Sequence, residues 1–327
     1  MVINYCFTVY NEPELLRHTI LRLQHSNARF FIHVDKRVDE DVFREALQNI
    51  DNVMFIKNRV ASQWADISTV KAIMGLLRAA IADGEKGYCV VLSGQDYPIK
   101  SAEYIYDYFF GAYPKQFIHA ESEENWDRHL KHWMYSHIYS HWISLIGKTK
   151  IIIKPYRFFK LYALGTLTWR DAPALLRRLF SFHTMNRIWK CYTTPRVVPS
   201  SFTIYASETW FQITNEAATY ALAYLDSHSD LYDFYETFGF PEESLLQSII
   251  LSNVELHAQW HGDFLSYVNR NSSDASDSLR LTNESLTSMQ WAIKNPDKLF
   301  IRKVFWEDQD VIEFIDNIIC GNNVAQL

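Results

Sequence analysis

The first 37 residues, MVINYCFTVYNEPELLRHTILRLQHSNARFFIHVDKR (1–37), decide the fold. An apolar run from Ile3 to Val9 is followed by an amphipathic stretch over 12–24 and by a second apolar run from Arg29 to Val34. Short apolar runs are typical of buried strands, and an apolar stripe at helical spacing is typical of a helix packed on a sheet. These residues therefore predict a strand, a helix and a second strand.

The same alternation continues through the first third of the chain. Apolar runs at Val53 to Ile56 and Tyr88 to Leu92 are separated by amphipathic stretches at 39–49 and 66–82. Such alternation predicts a parallel sheet covered by helices on both faces. Ligands bind such sheets beyond the carboxyl ends of the strands. Those ends are the stretches Tyr10-Asn11, Asp35-Lys36 and Ser93 to Pro98.

The last third predicts a strand at Ser207 to Thr214, helices at 215–226 and 242–252, a late strand at Leu299 to Val304 and a final helix at 308–318. The polar stretch NSSDASDS (271–278) is typical of a loop that closes over a ligand. A length of 327 residues suits one large α/β domain or two closely packed ones.

Composition narrows the class of protein. The net charge of −6 argues against a nucleic-acid binder, because such proteins usually carry an excess of Lys and Arg. The N-terminus has no basic stretch or cleavage site, and no apolar run approaches the length of a membrane span, so we expect a cytoplasmic protein. The four cysteines are too scattered for a zinc site or a disulfide frame: Cys6, Cys89, Cys191 and Cys320.

The segment 146–197 differs from the rest in charge and is called the insert below. Eleven Lys and Arg residues face one acidic residue, Asp171, between Ile146 and Arg196, and aromatic residues are interleaved with them. We predict a helical insert. It has two open interpretations: a surface that contacts an anionic membrane or a charged acceptor, or a helical excursion whose charges are merely solvated.

Six stretches resemble one enzyme family, and they occur in the family's order: FIHVDKR (31–37), QWADISTVKA (63–72), LSGQDYPIKS (92–101), SETWFQITNEAATYAL (207–222), PEESLLQSII (241–250) and LFIRKVF (299–305). They are similar to the core-2/I-branching β-1,6-N-acetylglucosaminyltransferases and the related peptide O-xylosyltransferases. The resemblance covers nearly the whole chain except the insert.

The resemblance implies a single catalytic domain of GT-A fold over 1–327. Residues 1–120 form its nucleotide-sugar-binding half and 198–327 its acceptor and catalytic half. It also implies an inverting transfer from a UDP-sugar to a glycan, with no bound metal and no cofactor; a lipid-linked saccharide is the acceptor expected if the chain acts at a bacterial membrane. Inversion by single displacement needs one carboxylate that takes the proton of the acceptor hydroxyl. Glu243 matches the family's base, and its neighbour Glu242 remains an alternative.

The leaving UDP gains charge as the glycosidic bond breaks, and the family balances that charge with basic side chains. Lys303 matches one of them, Arg302 lies beside it, and Arg280 is the candidate for the second. For the nucleotide, the resemblance points to Asp35 and to residues near it, namely Thr8, Asn11, Trp64 and Asp96. Asp96 has a second interpretation as a turn-capping residue before Tyr97-Pro98.

Acceptor contacts are predicted at two places. ENWDRH (124–129) resembles an acceptor-binding stretch, which implies sugar contacts for Glu124 and Trp126, and Glu208 and Trp210 occupy a second family position. A carboxylate and an aromatic ring are what sugar recognition generally needs.

The chain also departs from the family. Trp-Gly-Gly-x-Ser appears as Trp64-Ala65-Asp66-Ile67-Ser68, and Gly-Ser-x-Trp as Ser207 to Trp210. The donor is therefore open: N-acetylglucosamine with a β-1,6 linkage is the first choice, and UDP-xylose or UDP-galactose the alternative. With no anchor or paired cysteines, the chain looks like a bacterial relative that builds surface polysaccharide at the inner face of the membrane. A non-catalytic glycan-binding module is the rival from another class. A nicotinamide dehydrogenase is disfavoured, because no G-x-G-x-x-G follows the first strand.

Overall fold

The computed structural model describes residues 1–145, 148–163, 171–199, 202–269, 280–282 and 285–319. The first part of the chain forms β1 (Val2–Val9), α1 (Pro13–Arg22), β2 (Ala28–Val34), α2 (Asp41–Ala46), β3 (Val53–Phe55), α3 (Ile67–Ala80), β4 (Gly87–Ser93), β5 (Tyr97–Pro98), α4 (Ala102–Ala112), β6 (Gln116–Phe117) and β7 (Ala120–Glu121).

The middle of the chain forms a 3₁₀ turn (Glu123–Asn125), α5 (Arg128–Tyr139), β8 (His141–Ser144), β9 (Thr149–Lys154), β10 (Phe158–Ala163), α6 (Ala172–Leu179) and α7 (Phe182–Thr193). The last part forms β11 (Ala206–Ser207), β12 (Gln212–Thr214), α8 (Asn215–Ser227), α9 (Ser229–Tyr235), a 3₁₀ turn (Pro241–Glu243), α10 (Leu245–Ser252), α11 (Val254–Ala258), β13 (Trp260–His261), β14 (Ser266–Val268), α12 (Leu286–Lys294), β15 (Phe300–Arg302) and α13 (Gln309–Ile319).

A seven-stranded sheet with the order β13-β6-β12-β4-β1-β2-β3 forms the centre of the molecule. Strand β1 pairs in parallel with β2 and β4, and β2 pairs in parallel with β3. Strand β12 runs antiparallel to its neighbours β4 and β6. This is the mainly parallel α/β architecture expected of a GT-A-type chain, and the predicted fold class is confirmed.

Alternate residues of β1 enter two different hydrophobic cores. Cys6 packs with α3, α8 and α10 on one face of the sheet, whereas Tyr5 and Phe7 pack with α1 and α4 on the other. The period of two residues along a strand produces this division. A sheet covered on both faces explains why the strands of the first third are continuous apolar runs.

Two predicted elements differ in the structure. The insert is not wholly helical, because β9 and β10 join β8 in an antiparallel sheet of three strands before α6 and α7 begin. The run TKIIIK (149–154) contains three consecutive β-branched isoleucines, which favour a strand. The predicted strand over 207–214 is divided into β11 and β12, and the predicted loop 271–278 lies outside the described residues.

Other sequence expectations concern the membrane and the thiols. Within the described ranges, every helix is too short or too polar to cross a bilayer. Cys6, Cys89 and Cys191 are buried free thiols, as expected, and Cys320 falls outside those ranges.

Candidate active site

The carboxyl ends of β1, β2 and β4 meet at one edge of the sheet. The amide of Asp35 donates to the carbonyl of Val9 (2.8 Å), and the amide of Gly94 donates to the carbonyl of Thr8 (3.2 Å). Gly94 approaches β1 so closely that a Cβ there would lie 3.1 Å from Val9 Cγ1. The predicted nucleotide residues Thr8 and Asn11 are half-buried at this edge.

The segment after β15 joins the same edge. The amide of Val304 donates to the carbonyl of Gln95 (3.1 Å), and the amide of Trp306 donates to Glu12 Oε2 (2.8 Å). The predicted nucleotide and diphosphate residues therefore come from opposite ends of the sequence and lie in one corner.

Asp35 is buried and holds the next segment of chain in place. Its carboxylate accepts two side-chain bonds from Arg37 (2.9 and 2.8 Å) and one from the amide of Ser62 (2.8 Å). Burial acts to raise the pKa of Asp35, but these hydrogen bonds outweigh it and the pKa is lowered. The carboxylate therefore positions the turn that leads to Trp64, a role that the sequence analysis missed for both Asp35 and Arg37.

Asp96 closes a turn, as its second interpretation predicted. Its Oδ2 accepts from the amide (2.7 Å) and hydroxyl (2.6 Å) of Ser93. Its Oδ1 lies 3.7 Å from Arg302 Nε, and both side chains are buried. The guanidinium of Arg302 in turn lies over the ring of Trp210, 4.7 Å from its centroid. Asp96 therefore lies beside a buried cation whose charge it can balance.

Arg280 lies beside Lys303, because the amide of Leu281 donates to the carbonyl of Lys303 (3.0 Å). Its guanidinium forms two bonds to Asp308 (3.0 and 2.7 Å) and an ion pair with Glu307 (2.6 Å). These bonds raise the pKa of Arg280. The structure thus brings the three predicted basic residues to one corner, with Arg302 and Arg280 each paired to acids.

The second part of the site surrounds the turn Trp64-Ala65-Asp66. Ala65 has a φ of 53°, in the left-handed region that favours glycine, and the family pattern has glycine here. Its amide donates to Glu242 Oε1 (3.1 Å), and its carbonyl accepts from Lys150 Nζ (2.8 Å). The ring of Trp64 packs edge-on against Phe240, the residue before Pro241, with 4.7 Å between centroids.

Glu242 and Glu243 have different surroundings. Glu242 is 7% exposed, and its Oε2 is buried with no hydrogen-bond partner among the described residues. Burial raises the pKa of Glu242 to about 7. Glu243 is half-buried at the end of the same 3₁₀ turn.

A buried glutamine links the two parts of the site. Gln247 Nε2 donates to the carbonyl of Glu242 (2.9 Å) and to the carbonyl of Glu208 (2.8 Å). Trp210, two residues after Glu208, contacts Arg302. The acidic turn therefore connects through a short chain of contacts to the corner that holds the basic residues.

The predicted acceptor residues are only partly brought together. Strand β7 pairs with β11, which places the turn that carries Glu124 near the segment of Glu208. Trp126, however, is 7% exposed, belongs to a hydrophobic core, and donates its indole N–H to the carbonyl of Glu121 (2.9 Å). The ring of Trp126 is therefore occupied by protein packing, which argues against the predicted sugar contact.

Lys150 and Ser144 also belong to the site but were not predicted. Lys150 lies on β9, and its single signal in the sequence is a cation next to an apolar run of a strand. Across the described part of the chain, no group of three or more His, Cys, Asp or Glu residues is arranged to hold a metal ion. The expected metal independence stays a prediction.

Comparisons with known proteins identify the family. Residues 3–310 match the family model described as "Branch: Core-2/I-Branching enzyme". No curated protein gives a significant match.

Two solved structures show a distant similarity to this chain. A mannose-1-phosphate geranyltransferase from Thermus thermophilus has 11% identity and a TM-score of 0.32, and the alignment covers 76% of this chain and 72% of that one. A 4-diphosphocytidyl-2C-methyl-D-erythritolsynthase from Anaerococcus prevotii has 14% identity and a TM-score of 0.31, covering 78% and 96%. Similarity at this level supports no argument about fold or function.

Proposed function

Because this chain belongs to the core-2/I-branching enzyme family of glycosyltransferases, we propose that it moves a sugar from a UDP-sugar to a glycan hydroxyl. The transfer inverts the anomeric centre and uses no bound metal. The observation that carries the proposal is the contact chain from Glu242 through Gln247 and Glu208 to Trp210 and Arg302, which joins an acidic turn to a basic corner.

Glu243 is the proposed base, and Glu242 supports it. A base must reach the hydroxyl of an acceptor that arrives from solvent. Glu242 is buried and bonded to the amide of Ala65, so its carboxyl holds the turn, whereas Glu243 is half-buried and accessible. The raised pKa of Glu242 is the property expected of a base, which makes Glu242 the rival that an experiment must exclude.

Lys303 is the proposed main partner of the leaving diphosphate, with Arg302 and Arg280 beside it. A diphosphate that gains charge in the transition state competes with carboxylates for these cations. Arg280 would then exchange its bonds to Asp308 and Glu307 for bonds to phosphate. Arg302 keeps its pairing with Asp96 and contributes positive charge at the edge of the site.

The donor is proposed to be UDP-N-acetylglucosamine, with a β-1,6 linkage, and UDP-xylose or UDP-galactose is the alternative. The test measures binding and hydrolysis of UDP-N-acetylglucosamine, UDP-galactose, UDP-N-acetylgalactosamine, UDP-glucose and UDP-xylose in the presence of EDTA. The wild type is compared with Glu243→Gln and Glu242→Gln.

We expect one donor to bind and hydrolyse slowly in EDTA. Glu243→Gln should keep binding and lose turnover by about 10²- to 10⁴-fold, the usual contribution of a general base. If Glu242→Gln loses turnover while Glu243→Gln keeps it, the assignment of the base is wrong. Donor binding without turnover in the wild type, with any acceptor, favours a glycan-binding module. A strict need for a divalent ion contradicts the metal-free mechanism.

The acceptor is proposed to be a saccharide, attached to lipid, used for bacterial surface polysaccharide at the cytoplasmic face of a membrane. The insert supports this proposal, because its two helices face the core on one side only. Leu175, Leu179 and Ile188 pack towards β8 and β9, whereas Phe182, Met185 and Trp189 are exposed.

Leu176 and Phe180 are exposed as well, so both helices of the insert present apolar side chains to solvent, and basic residues adjoin them in the sequence. Apolar residues that enter the headgroup region, surrounded by Lys and Arg, are typical of helices that lie on anionic membranes. Each cation near such a surface contributes about 1 kcal/mol of attraction.

Vesicle flotation tests this contact. We expect the wild type to float with vesicles that contain phosphatidylglycerol, to float less in high salt, and not to float with neutral vesicles. Phe182→Ser with Trp189→Ser should abolish flotation. Val254→Ser is the matched control, since Val254 is an exposed apolar residue outside the insert. Flotation that is absent, or unchanged in the double variant, contradicts the membrane contact.

A further inference from the structure

The insert reaches into the candidate site through one buried cation. Lys150 on β9 has no exposed surface. Its Nζ donates to the carbonyl of Ala65 (2.8 Å) and to Ser144 Oγ (2.6 Å), and it lies 6.0 Å from the centroid of the Trp64 ring. A lysine so deeply buried persists only where polar groups surround the ammonium.

The ammonium belongs to a network that ends on a helix. Ser144 and Lys150 face each other across β8 and β9. The hydroxyl of Ser144 donates to Asp66 Oδ2 (2.6 Å), and Asp66 Oδ1 caps the start of α3 by accepting from the amide of Ser68 (3.0 Å). The insert is thereby fixed to the first turn of a core helix.

Ala65 transmits this contact to the acidic turn. Its carbonyl is held by Lys150, and its amide is bonded to Glu242 Oε1. The left-handed conformation of Ala65 is unfavourable for a residue with a side chain and requires support from its surroundings. The carbonyl bond from Lys150 supplies such support from the insert side.

We propose that Lys150 is a positioning residue of the transferase, which holds the Trp64-Ala65-Asp66 turn and through it sets the place of Glu242 and Glu243. This inference rests on the proposed function, because it assumes that the acidic turn carries the base. It gives the insert a role in turnover that is separate from any contact with a membrane.

Because Lys150 is charged, its removal should change the pH dependence of kcat. The charged groups that face Lys150 are Asp66, Glu242 and Arg187 on α7. Burial lowers the pKa of Lys150 to about 8, and the positive charge of Lys150 in turn lowers the pKa of Glu242. Removal of that charge should raise the pKa of Glu242 further and so change the charge beside the proposed base Glu243.

The experiment measures kcat, KM for the donor, and their pH dependence, with a soluble acceptor or with donor hydrolysis. The variants are Lys150→Met, Lys150→Arg and Ser144→Ala, and Lys154→Met at the other end of β9 is the control. UDP binding and thermal unfolding show whether each variant is folded.

We expect Lys150→Met to lower kcat by about tenfold or more, as displacements near 1 Å in an active site do. The fall in kcat should exceed any rise in KM for the donor, although the turn that Lys150 holds also carries Trp64, a predicted nucleotide residue. The acid limb of the profile should move, because the charge on Glu242 next to the proposed base Glu243 changes. Lys150→Arg should restore part of kcat and the position of the limb, and Lys154→Met should match the wild type.

A normal kcat and profile in Lys150→Met would overturn the inference. A lower melting temperature with proportional loss of activity, an unmoved acid limb and no rescue by arginine would assign Lys150 a purely structural role, which also overturns it. If Lys150→Met fails to fold, Ser144→Ala decides, because it weakens the same network and leaves the ammonium in place. Retained turnover in Glu243→Gln is a separate result, which refutes the assigned base and not the effect of Lys150.

Discussion

Replacement of Glu242 by glutamine should change how the stability of the protein depends on pH. The pKa of Glu242 rises from 4.5 to about 7 in the folded chain, chiefly because burial disfavours its charged form. Between these two pH values the folded protein keeps a proton that the unfolded chain has released. The contribution of Glu242 to the free energy of unfolding is therefore largest below pH 4.5. It is lost as the pH rises through about 7.

The magnitude follows from the two pKa values. One pKa unit corresponds to about 1.4 kcal/mol, so a rise from 4.5 to about 7 corresponds to on the order of 3 kcal/mol. Glutamine does not titrate and keeps the acceptor oxygen that faces the amide of Ala65. The wild type should therefore lose on the order of 3 kcal/mol relative to Glu242→Gln between pH 4.5 and pH 8.

Urea unfolding of both proteins at half-unit intervals from pH 5 to pH 8 measures this difference. Glu255→Gln, at an exposed carboxylate on α11, is the control and should follow the wild type. Parallel stability curves for the wild type and Glu242→Gln would refute the reasoning, because they would mean that the carboxyl of Glu242 is solvated in the folded protein. A difference that grows with falling pH would refute its sign.

Three further changes test the packing around the site. Trp126→Ala should lower the free energy of unfolding by about 3–5 kcal/mol, as expected for a core Trp, and Trp126→Phe should leave KM for the acceptor unchanged; urea unfolding and acceptor kinetics measure the two effects. Ala65→Gly should raise the melting temperature, because glycine removes about 1–2 kcal/mol of left-handed strain and costs only about 0.5–1 kcal/mol of entropy, whereas Ala79→Gly within α3 should lower it. Gly239→Ala should lower both the melting temperature and kcat, because the added Cβ would collide with the ring of His137 and displace the neighbouring Phe240, and circular dichroism with kinetics would detect both losses.

The strands of the sheet could be predicted because each one is marked by a pattern of neighbouring residues in the sequence. Each strand of the first third is an apolar run flanked by polar residues, and the structure reproduces β1, β2, β3 and β4 to within one residue at each end. The strands of the insert were missed because the charge and aromatic content of 146–197 outweighed the short β-branched run in β9. Charge composition reports on the surface of a segment and not on its backbone conformation.

The site was harder to predict because its contacts join distant parts of the chain. The pairing of Arg280 with Asp308, and that of Asp96 with Arg302, leave no periodic pattern in the sequence. A sugar contact was predicted for Trp126 because ENWDRH resembles an acceptor-binding stretch of the family, yet its ring packs in the core and its N–H donates to the carbonyl of Glu121. A Trp side chain can either stack on a sugar or pack in a core while its N–H donates a hydrogen bond, and the neighbouring residues in the sequence do not distinguish these two roles.

The departures from the family pattern and the insert are linked in space. Positions 65 and 66 are glycines in the family and are Ala and Asp here. The carboxylate of Asp66 accepts a hydrogen bond from the hydroxyl of Ser144, and the carbonyl of Ala65 accepts one from the ammonium of Lys150. Both substituted positions therefore contact the sheet that contains the strands of the insert. Glycine at position 66 would leave that hydroxyl without its acceptor, and Ala65 without Lys150 would hold a left-handed backbone with one bond fewer. The insert and the altered turn therefore form one structural unit, in which hydrogen bonds from Lys150 and from the neighbouring strand β8 help to offset the cost of replacing two glycines.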